Sequence, residues 1–62
     1  MSYKSVKEVV DLIESLGYKF KTQKGSHMKF ENNGKIVIVP NHGNKGIEKG
    51  TYFNILRQLG LK

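Results

Sequence analysis

Two short segments of alternating polar and apolar residues and a third that is β-branched almost throughout, separated by two tight-turn sequences, occupy the middle of the chain. Alternation with a period of two is typical of strands with one buried face. The first turn is Lys24-Gly25, and the second, Asn32-Asn33-Gly34, carries the Asn-Gly pair that favours a two-residue hairpin loop. Turns this short join antiparallel strands, so the sequence predicts a three-stranded antiparallel meander. Its predicted strands are Tyr18–Gln23, Ser26–Glu31 and Lys35–Val39.

A helical pattern precedes the meander. Ser5 and Glu8 fit a capping box, in which each side chain accepts a hydrogen bond from the other residue's backbone N–H. Apolar residues then recur at helical spacing from Val6 to Leu16, and Gly17 supplies a left-handed stop. The sequence therefore predicts a helix of about a dozen residues with one apolar face.

A loop and a second helix follow the meander. The loop, Asn41 to Gly50, is rich in Gly, Asn and Lys, and the helix begins near Thr51 and ends at Gly60. The predicted apolar stripe of this helix is Tyr52, Ile55, Leu56 and Leu59. The predicted fold is α+β, with the order α-β-β-β-α and both helices on one face of the antiparallel sheet. The other face of the sheet is then open to water.

Length and composition limit the class of protein. A chain of 62 residues has room for one domain, residues 1–62, which buries roughly 60% of the surface that it exposes when unfolded. The chain lacks cysteine, which excludes disulfides and thiolate metal sites and favours a reducing cytosol. No apolar run approaches the ~18 residues of a membrane span, and Met1 leads into polar residues rather than a signal peptide. We therefore expect a cytoplasmic protein that does not contact membranes.

Basic charge is concentrated after the first helix. The formal net charge is +6. The chain through Gly17 contains two lysines and three acidic residues, whereas the chain from Tyr18 onward contains nine basic residues and two acidic ones, Glu31 and Glu48. Lysines also keep small proteins soluble. So uneven an excess more often marks a surface for polyanions, and for a cytosolic domain the polyanion is nucleic acid.

Period-two alternation predicts that His27 points away from the helices. Met28 and Phe30 are the apolar members of the second strand, so His27, Lys29 and Glu31 belong to the open face. A single histidine at such a position is often an ordinary exposed residue. Here lysines surround the histidine, so we weigh a functional role equally with that of an ordinary exposed residue.

Lysines of the first strand are expected on the same open face. If Tyr18 and Phe20 are core residues, Lys19 and Lys21 lie beside His27. RNA cleavage without a metal needs a base for the ribose 2′-hydroxyl, an acid for the leaving oxygen and cations for the phosphorane. Histidine suits proton transfer near neutral pH, and lysines stabilise the developing charge. DNA lacks the 2′-hydroxyl, so this chemistry is specific to RNA.

The loop and the start of the second helix supply further candidates. His42 is the second candidate acid or base, although a polar loop residue needs no function. Lys45 and Lys49 precede the second helix, and a helix start attracts phosphate through its free N–H groups. Two histidines without neighbouring carboxylates or cysteines argue against a catalytic metal site. We therefore predict neither a metal nor a cofactor.

Several motifs in the same order resemble those of the HicA toxins. They are Lys24-Gly25-Ser26-His27 at the first turn, the Ile-Val-Ile-Val-Pro strand ending at Pro40, the His42-Gly43-Asn44 loop, the Lys49-Gly50-Thr51 helix start and the closing Leu59-Gly60-Leu61. HicA toxins are small bacterial and archaeal mRNA interferases. The resemblance, which covers nearly the whole chain, implies a double-stranded-RNA-binding-like fold and an endoribonuclease that cleaves mRNA.

The same resemblance implies roles for individual residues. His27 matches the family's catalytic histidine, Gly25 the turn glycine and Gly50-Thr51 the start of the second helix. It also implies a cognate HicB-type antitoxin that covers the active-site surface. Many relatives carry a second histidine where this chain has Met28. Met28 faces the core by alternation, so the change affects packing. It also removes a possible second imidazole, which leaves the general acid open between His42, a lysine and bound water.

Three hypotheses follow. The first is a metal-independent endoribonuclease with His27 as general acid or base. Its expected RNA-binding residues are Lys24, Gly25, Ser26, Lys29, Lys45 and Lys49. The second is a non-catalytic RNA-binding module of the same fold, because fold does not determine function. The third is a docking surface for an acidic protein, which is compatible with the first.

Overall fold

The computed structural model describes residues 3–42 and 45–61. Its elements are α1 (Val6–Ser15), β1 (Lys19–Lys24), β2 (His27–Asn32), β3 (Lys35–Pro40) and α2 (Lys49–Gln58). The strands form one sheet of order β1-β2-β3, and both neighbouring pairs are antiparallel. The predicted α+β fold and its order of elements are confirmed.

Helix α1 begins with the predicted capping box. The Glu8 backbone N–H donates to Ser5 Oγ at 3.0 Å, and the Ser5 backbone N–H donates to Glu8 Oε1 at 2.9 Å. The backbone and side-chain hydrogen bonds with Ser5 hold the pKa of Glu8 below its usual range, because they favour the carboxylate. Gly17, with φ +95°, follows the end of the helix and turns the chain toward β1.

Both predicted turns join adjacent strands. Asn33 and Gly34 have φ values of +51° and +86°, and positive φ at both positions matches the right-handed twist of a hairpin. At the first turn, Gly25 has φ +60° and leads into β2. A Cβ added to Gly25 would meet no atom within 4 Å, so glycine is favoured there by the backbone conformation.

One buried cluster joins both helices to one face of the sheet. Its members are Val9, Ile13, Tyr18, Met28, Phe30, Val37, Val39, Ile47 and Ile55. The partner pairs Met28–Val39 and Phe30–Val37 place the strand members on the same face. α2 also contacts the edge of β3, where the Ile38 backbone N–H donates to Gln58 Oε1 at 3.4 Å.

The first strand departs from the prediction. It begins one residue later than predicted, and the expectation that Phe20 is a core residue is wrong, since 53% of Phe20 is exposed. Its partner in the sheet is Phe30, so Phe20 lies on the core face. However, every residue of β1 is exposed. As an edge strand, β1 leaves the ring of Phe20 in edge contact with Phe30, at 5.8 Å between centroids.

The predicted loop 41–50 contains a buried anchor. Ile47 is fully buried and pairs with Lys4, through N–H donation from Lys4 at 3.1 Å and from Ile47 at 2.7 Å. Helix α2 begins at Lys49, two residues before the predicted start, so Lys49 belongs to the helix. Gly43 and Asn44 of this loop lie outside the described residues.

A matched pair of substitutions tests the anchor. Ile47→Ala should lower the free energy of unfolding by about 2–5 kcal/mol, because it leaves a cavity in the core. Ile36→Ala, at a residue that is 40% exposed, should cost below about 1 kcal/mol. Urea unfolding followed by far-ultraviolet circular dichroism measures both values. Equal losses would contradict the docking of this segment against the core.

Candidate functional site

The sheet face opposite the buried cluster carries most of the predicted site. Met28 and Phe30 are buried, so their neighbours on β2 point to the other side. We call this side the open face. Its residues are His27, Lys29 and Glu31 of β2, Lys19, Lys21, Thr22 and Lys24 of β1, and Ile36, Ile38 and Pro40 of β3.

His27 is exposed at the beginning of β2, between two cross-strand partners. Lys24 of β1 lies directly opposite on one side, and Pro40 of β3 lies opposite on the other. Directly opposed residues have Cβ atoms about 4.5–5.5 Å apart. The structure therefore places His27 on the predicted face with a lysine as its immediate neighbour.

A β-bulge brings Lys24 to this position. Strict alternation along β1 would put Lys24 on the same side as Phe20, toward the core. The register shifts between Phe20 and Thr22, which leaves Lys21 as an extra residue. Beyond the shift, Lys24 pairs with His27 and shares its face.

The charge of the open face is positive despite one acidic residue. Glu31 lies toward the end of the sheet away from His27, with Lys21 Nζ at 3.5 Å from its Oε1. Both side chains of this ion pair are about half exposed, so it contributes little to stability. Lys29 is half-buried between its partners Thr22 and Ile38.

The segment after β3 is held against the first turn. The Asn41 backbone N–H donates to the Ser26 carbonyl at 2.6 Å, and the next residue, His42, is exposed. We call this end of the sheet, with the Lys24–His27 turn and the segment 40–42, the His27 end. Both histidines therefore lie at the same end of the sheet.

The predicted RNA-binding residues form two groups. Lys24 and Lys29 belong to the open face, and Gly25 and Ser26 form the turn beside them. Lys45 and Lys49 are exposed, but Lys45 belongs to the segment between β3 and α2, and Lys49 is the first residue of α2. The structure does not bring this second group into the sheet.

An open depression lies at the other end of the sheet. It is lined by Gly17, Lys19, Phe20, Lys21, Glu31, Asn32 and Asn33. None of the predicted catalytic or RNA-binding residues is among them. The candidate site is therefore an exposed surface around His27 and lies away from this concavity.

Residues 3–42 and 45–61 hold no cluster of three or more histidine, cysteine, aspartate or glutamate side chains that could bind a metal ion. Neither of the helices in these ranges has the length and apolar character that a membrane crossing requires.

One row of the open face is apolar and was not predicted. Ile36, Ile38 and Pro40 stand beside the basic residues, and Ile36 is 40% exposed. The signal was present in the sequence, because β3 is apolar at consecutive positions instead of alternating. Such a run indicates apolar residues on both faces of a strand.

Fold and site define a small α+β protein with a basic, histidine-bearing sheet face. The family model described as "HicA toxin of bacterial toxin-antitoxin" matches residues 6–61. A relative from Pseudomonas fluorescens (strain Pf0-1), named "Probable mRNA interferase HicA", is 44% identical over 50 residues, which cover 81% of this chain and 83% of the relative. The chain belongs to the HicA toxin family of bacterial toxin–antitoxin systems, as the sequence motifs predicted.

A salt titration tests whether RNA binds at the His27 end of the sheet. Lys24→Ala should weaken binding to single-stranded RNA and reduce the slope of log affinity against log salt by about 0.7, the value for one phosphate contact. The matched control is Lys35→Ala, because Lys35 is an exposed strand residue at the opposite end of the sheet. Equal slope changes in the two variants would contradict a binding surface centred on the His27 end.

Proposed function

We propose that this toxin is a cytoplasmic endoribonuclease that cleaves mRNA without a metal ion, with His27 as general acid or base. The observation that carries the proposal is the exposed position of His27 on the open face, directly opposite Lys24. Family membership and the name of the relative from Pseudomonas fluorescens support an RNA-cleaving activity.

The proposed reaction is an intramolecular transesterification of the RNA, in which the phosphorus exchanges its bond to the 5′-oxygen for one to the 2′-oxygen. A base accepts the proton of the ribose 2′-hydroxyl, and the 2′-oxygen attacks the adjacent phosphorus. An acid donates a proton to the 5′-oxygen, which leaves as the P–O bond breaks. His27 performs one of these proton transfers, while Lys24 and Lys29 stabilise the negative charge of the phosphorane.

The second proton-transfer group is proposed to be His42. The hydrogen bond from Asn41 to Ser26 holds the segment before His42 beside the turn that precedes His27. A lysine or a bound water is the alternative donor. If His42 acts as the partner of His27, the pH–rate profile should lose one limb in His42→Ala, whereas a lysine or water would leave both limbs in place.

A non-catalytic RNA-binding module is the alternative function. The same lysines would bind phosphates whether or not His27 transfers a proton, since phosphate contacts depend on charge alone. The basic open face therefore supports RNA binding under both functions. Cleavage by the native chain, and its dependence on His27, separates them.

The first experiment compares the native chain with His27→Ala on a long unstructured RNA in EDTA. We expect the native chain to cleave and His27→Ala to be slower by about 10²- to 10⁴-fold, because it loses one proton-transfer group. RNA affinity should change little, since the lysines of the open face keep their phosphate contacts. Gel electrophoresis measures cleavage, and fluorescence anisotropy of a labelled RNA measures affinity.

Lys35→Ala serves as the control for this experiment, since it alters a surface charge away from the His27 end. It should cleave at the native rate. Intact RNA in every lane, with the same affinity for all three proteins, would favour the RNA-binding module. Cleavage by the native chain that disappears in EDTA would refute metal independence.

We also propose that the cognate antitoxin covers the open face. Beside the basic residues, this face presents the apolar row of Ile36, Ile38 and Pro40. Phosphate groups make no favourable interaction with apolar side chains, whereas a protein partner can bury such a row. A partner with carboxylates opposite Lys24 and Lys29 and apolar side chains opposite the row would use the whole face.

A second matched pair tests this partner. Ile36→Ala should lower the affinity for the antitoxin about tenfold, because Ile36 is the exposed member of the apolar row and its truncation removes apolar contact area. Leu61→Ala, at a residue that is 49% exposed after α2, should leave the affinity unchanged. Isothermal titration of the purified antitoxin measures both. An antitoxin that binds Ile36→Ala as tightly as the native chain would contradict contact with this row.

A further inference from the structure

Three aromatic rings lie close together at the start of α2. Tyr3 is 5.4 Å from Tyr52 and 6.0 Å from Phe53, and Tyr52 is 5.8 Å from Phe53, measured between ring centroids. We call these three residues the aromatic cluster. Tyr52 packs on the buried core, whereas Tyr3 is 47% exposed. The cluster therefore has one ring, that of Tyr52, partly buried against the core and another, that of Tyr3, exposed to solvent.

The backbone already fixes the segment that carries Tyr3. The N–H groups of Tyr3 and Lys4 donate to the Ile47 carbonyl at 2.8 and 3.1 Å, and the Ile47 N–H donates to the Lys4 carbonyl at 2.7 Å. Three hydrogen bonds to a fully buried residue hold the segment. The ring of Tyr3 contacts Tyr52 and Phe53 on one side, and its exposed part can contact a ligand.

Lysines lie on or next to the segments that carry the cluster. The ammonium group of Lys4 lies 5.7 Å from the ring centroids of both Tyr3 and Tyr52, within the range of a cation–π interaction. Lys49 precedes Tyr52 by one turn of α2, and Lys45 lies two residues before Ile47. The acidic residues next to these segments are Glu8, which hydrogen-bonds to Ser5, and Glu48.

The cluster is connected to the His27 end of the sheet. The chain runs from Asn41, bonded to Ser26, through Ile47, bonded to Tyr3 and Lys4, into α2. Exposed lysines lie along this connection at positions 45 and 49. These lysines are therefore available to contact the phosphates of an RNA that reaches from the His27 end to the aromatic cluster.

We propose that the aromatic cluster binds an unpaired base of the RNA substrate, which stacks on the exposed ring of Tyr3 while the lysines contact the flanking phosphates. This inference rests on the proposed function, since it assigns a second contact for the same RNA. Exposed aromatic rings next to cations are the means by which proteins bind single-stranded nucleic acids. In a duplex the bases are already stacked and cannot reach the ring. The substrate class is therefore single-stranded RNA.

Tryptophan fluorescence tests the stacking directly, because the native chain has no tryptophan. Tyr3→Trp is compared with Phe20→Trp, each in the His27→Ala background so that the RNA stays intact. Position 20 is the matched control, since Phe20 is 53% exposed and lines the depression at the other end of the sheet. The probe is a single-stranded RNA of eight nucleotides, and its duplex form is the second probe.

We expect the single strand to quench Tyr3→Trp and to leave Phe20→Trp unchanged, and the duplex to quench neither. Binding is measured independently by the anisotropy of the labelled RNA. Binding without quenching of Tyr3→Trp, or quenching of Phe20→Trp to the same extent, would overturn the inference. Absence of any binding would overturn it as well.

Affinity measurements separate stacking from a structural role. Tyr3→Leu keeps an apolar side chain but lacks a ring, and it should weaken binding of the octamer about 5- to 150-fold, the value of one base–aromatic stack. Tyr3→Phe keeps the ring and should bind like the native chain. Both variants should bind an abasic octamer equally. A loss shared by Tyr3→Phe, or a Tyr3→Leu loss that persists on the abasic octamer, would contradict stacking.

The two proposals can fail separately. If the native chain does not cleave RNA but Tyr3→Trp is quenched, the catalytic role of His27 is wrong and the stacking site stands. If the native chain cleaves in EDTA and Tyr3→Trp is not quenched, catalysis stands and the stacking site is wrong.

Discussion

Burial of Met28 and Phe30 determines the geometry of the open face. Both are buried, beside Val39 and Val37 of the neighbouring strand. Because side chains along a strand alternate, their burial forces His27 to the opposite side. A slip of one residue would carry charged side chains into the core and expose the two apolar ones, at a large cost in free energy. The core thus specifies where the candidate catalytic residue points.

The edge strand β1 places a lysine beside His27, which strict alternation of its side chains would not do. At the bulge, Lys21 is an extra residue, so Lys24 faces His27 instead of the core. Bulges and lysines also protect an exposed edge from pairing with other chains. One local irregularity therefore positions a cation beside His27 and blunts the edge of a strand that is exposed along its whole length.

Local signals made most of the fold predictable from the sequence. The capping box at Ser5 and the Asn33-Gly34 turn depend on neighbouring residues and were predicted correctly. The burial of Ile47 was missed because it depends on pairing with Lys4, a contact between distant parts of the chain. The exposure of Phe20 was missed because it follows from the position of β1 at the sheet edge, and the bulge was missed because it depends on the register between β1 and β2. The face of His27 was predictable, whereas the cation opposite it required the actual register.

The core and the candidate site lie on opposite sides of the same strands. Most cations of the open face are exposed, with Lys29 half-buried, so they remain hydrated and incur little of the desolvation cost of buried charge. For the same reason, replacing His27 or Lys24 removes little buried apolar area. A loss of activity in such variants can therefore be attributed to chemistry or binding once unfolding is excluded. The apolar row of β3 differs, because Ile38 is half-buried and contributes both to packing and to the proposed antitoxin contact.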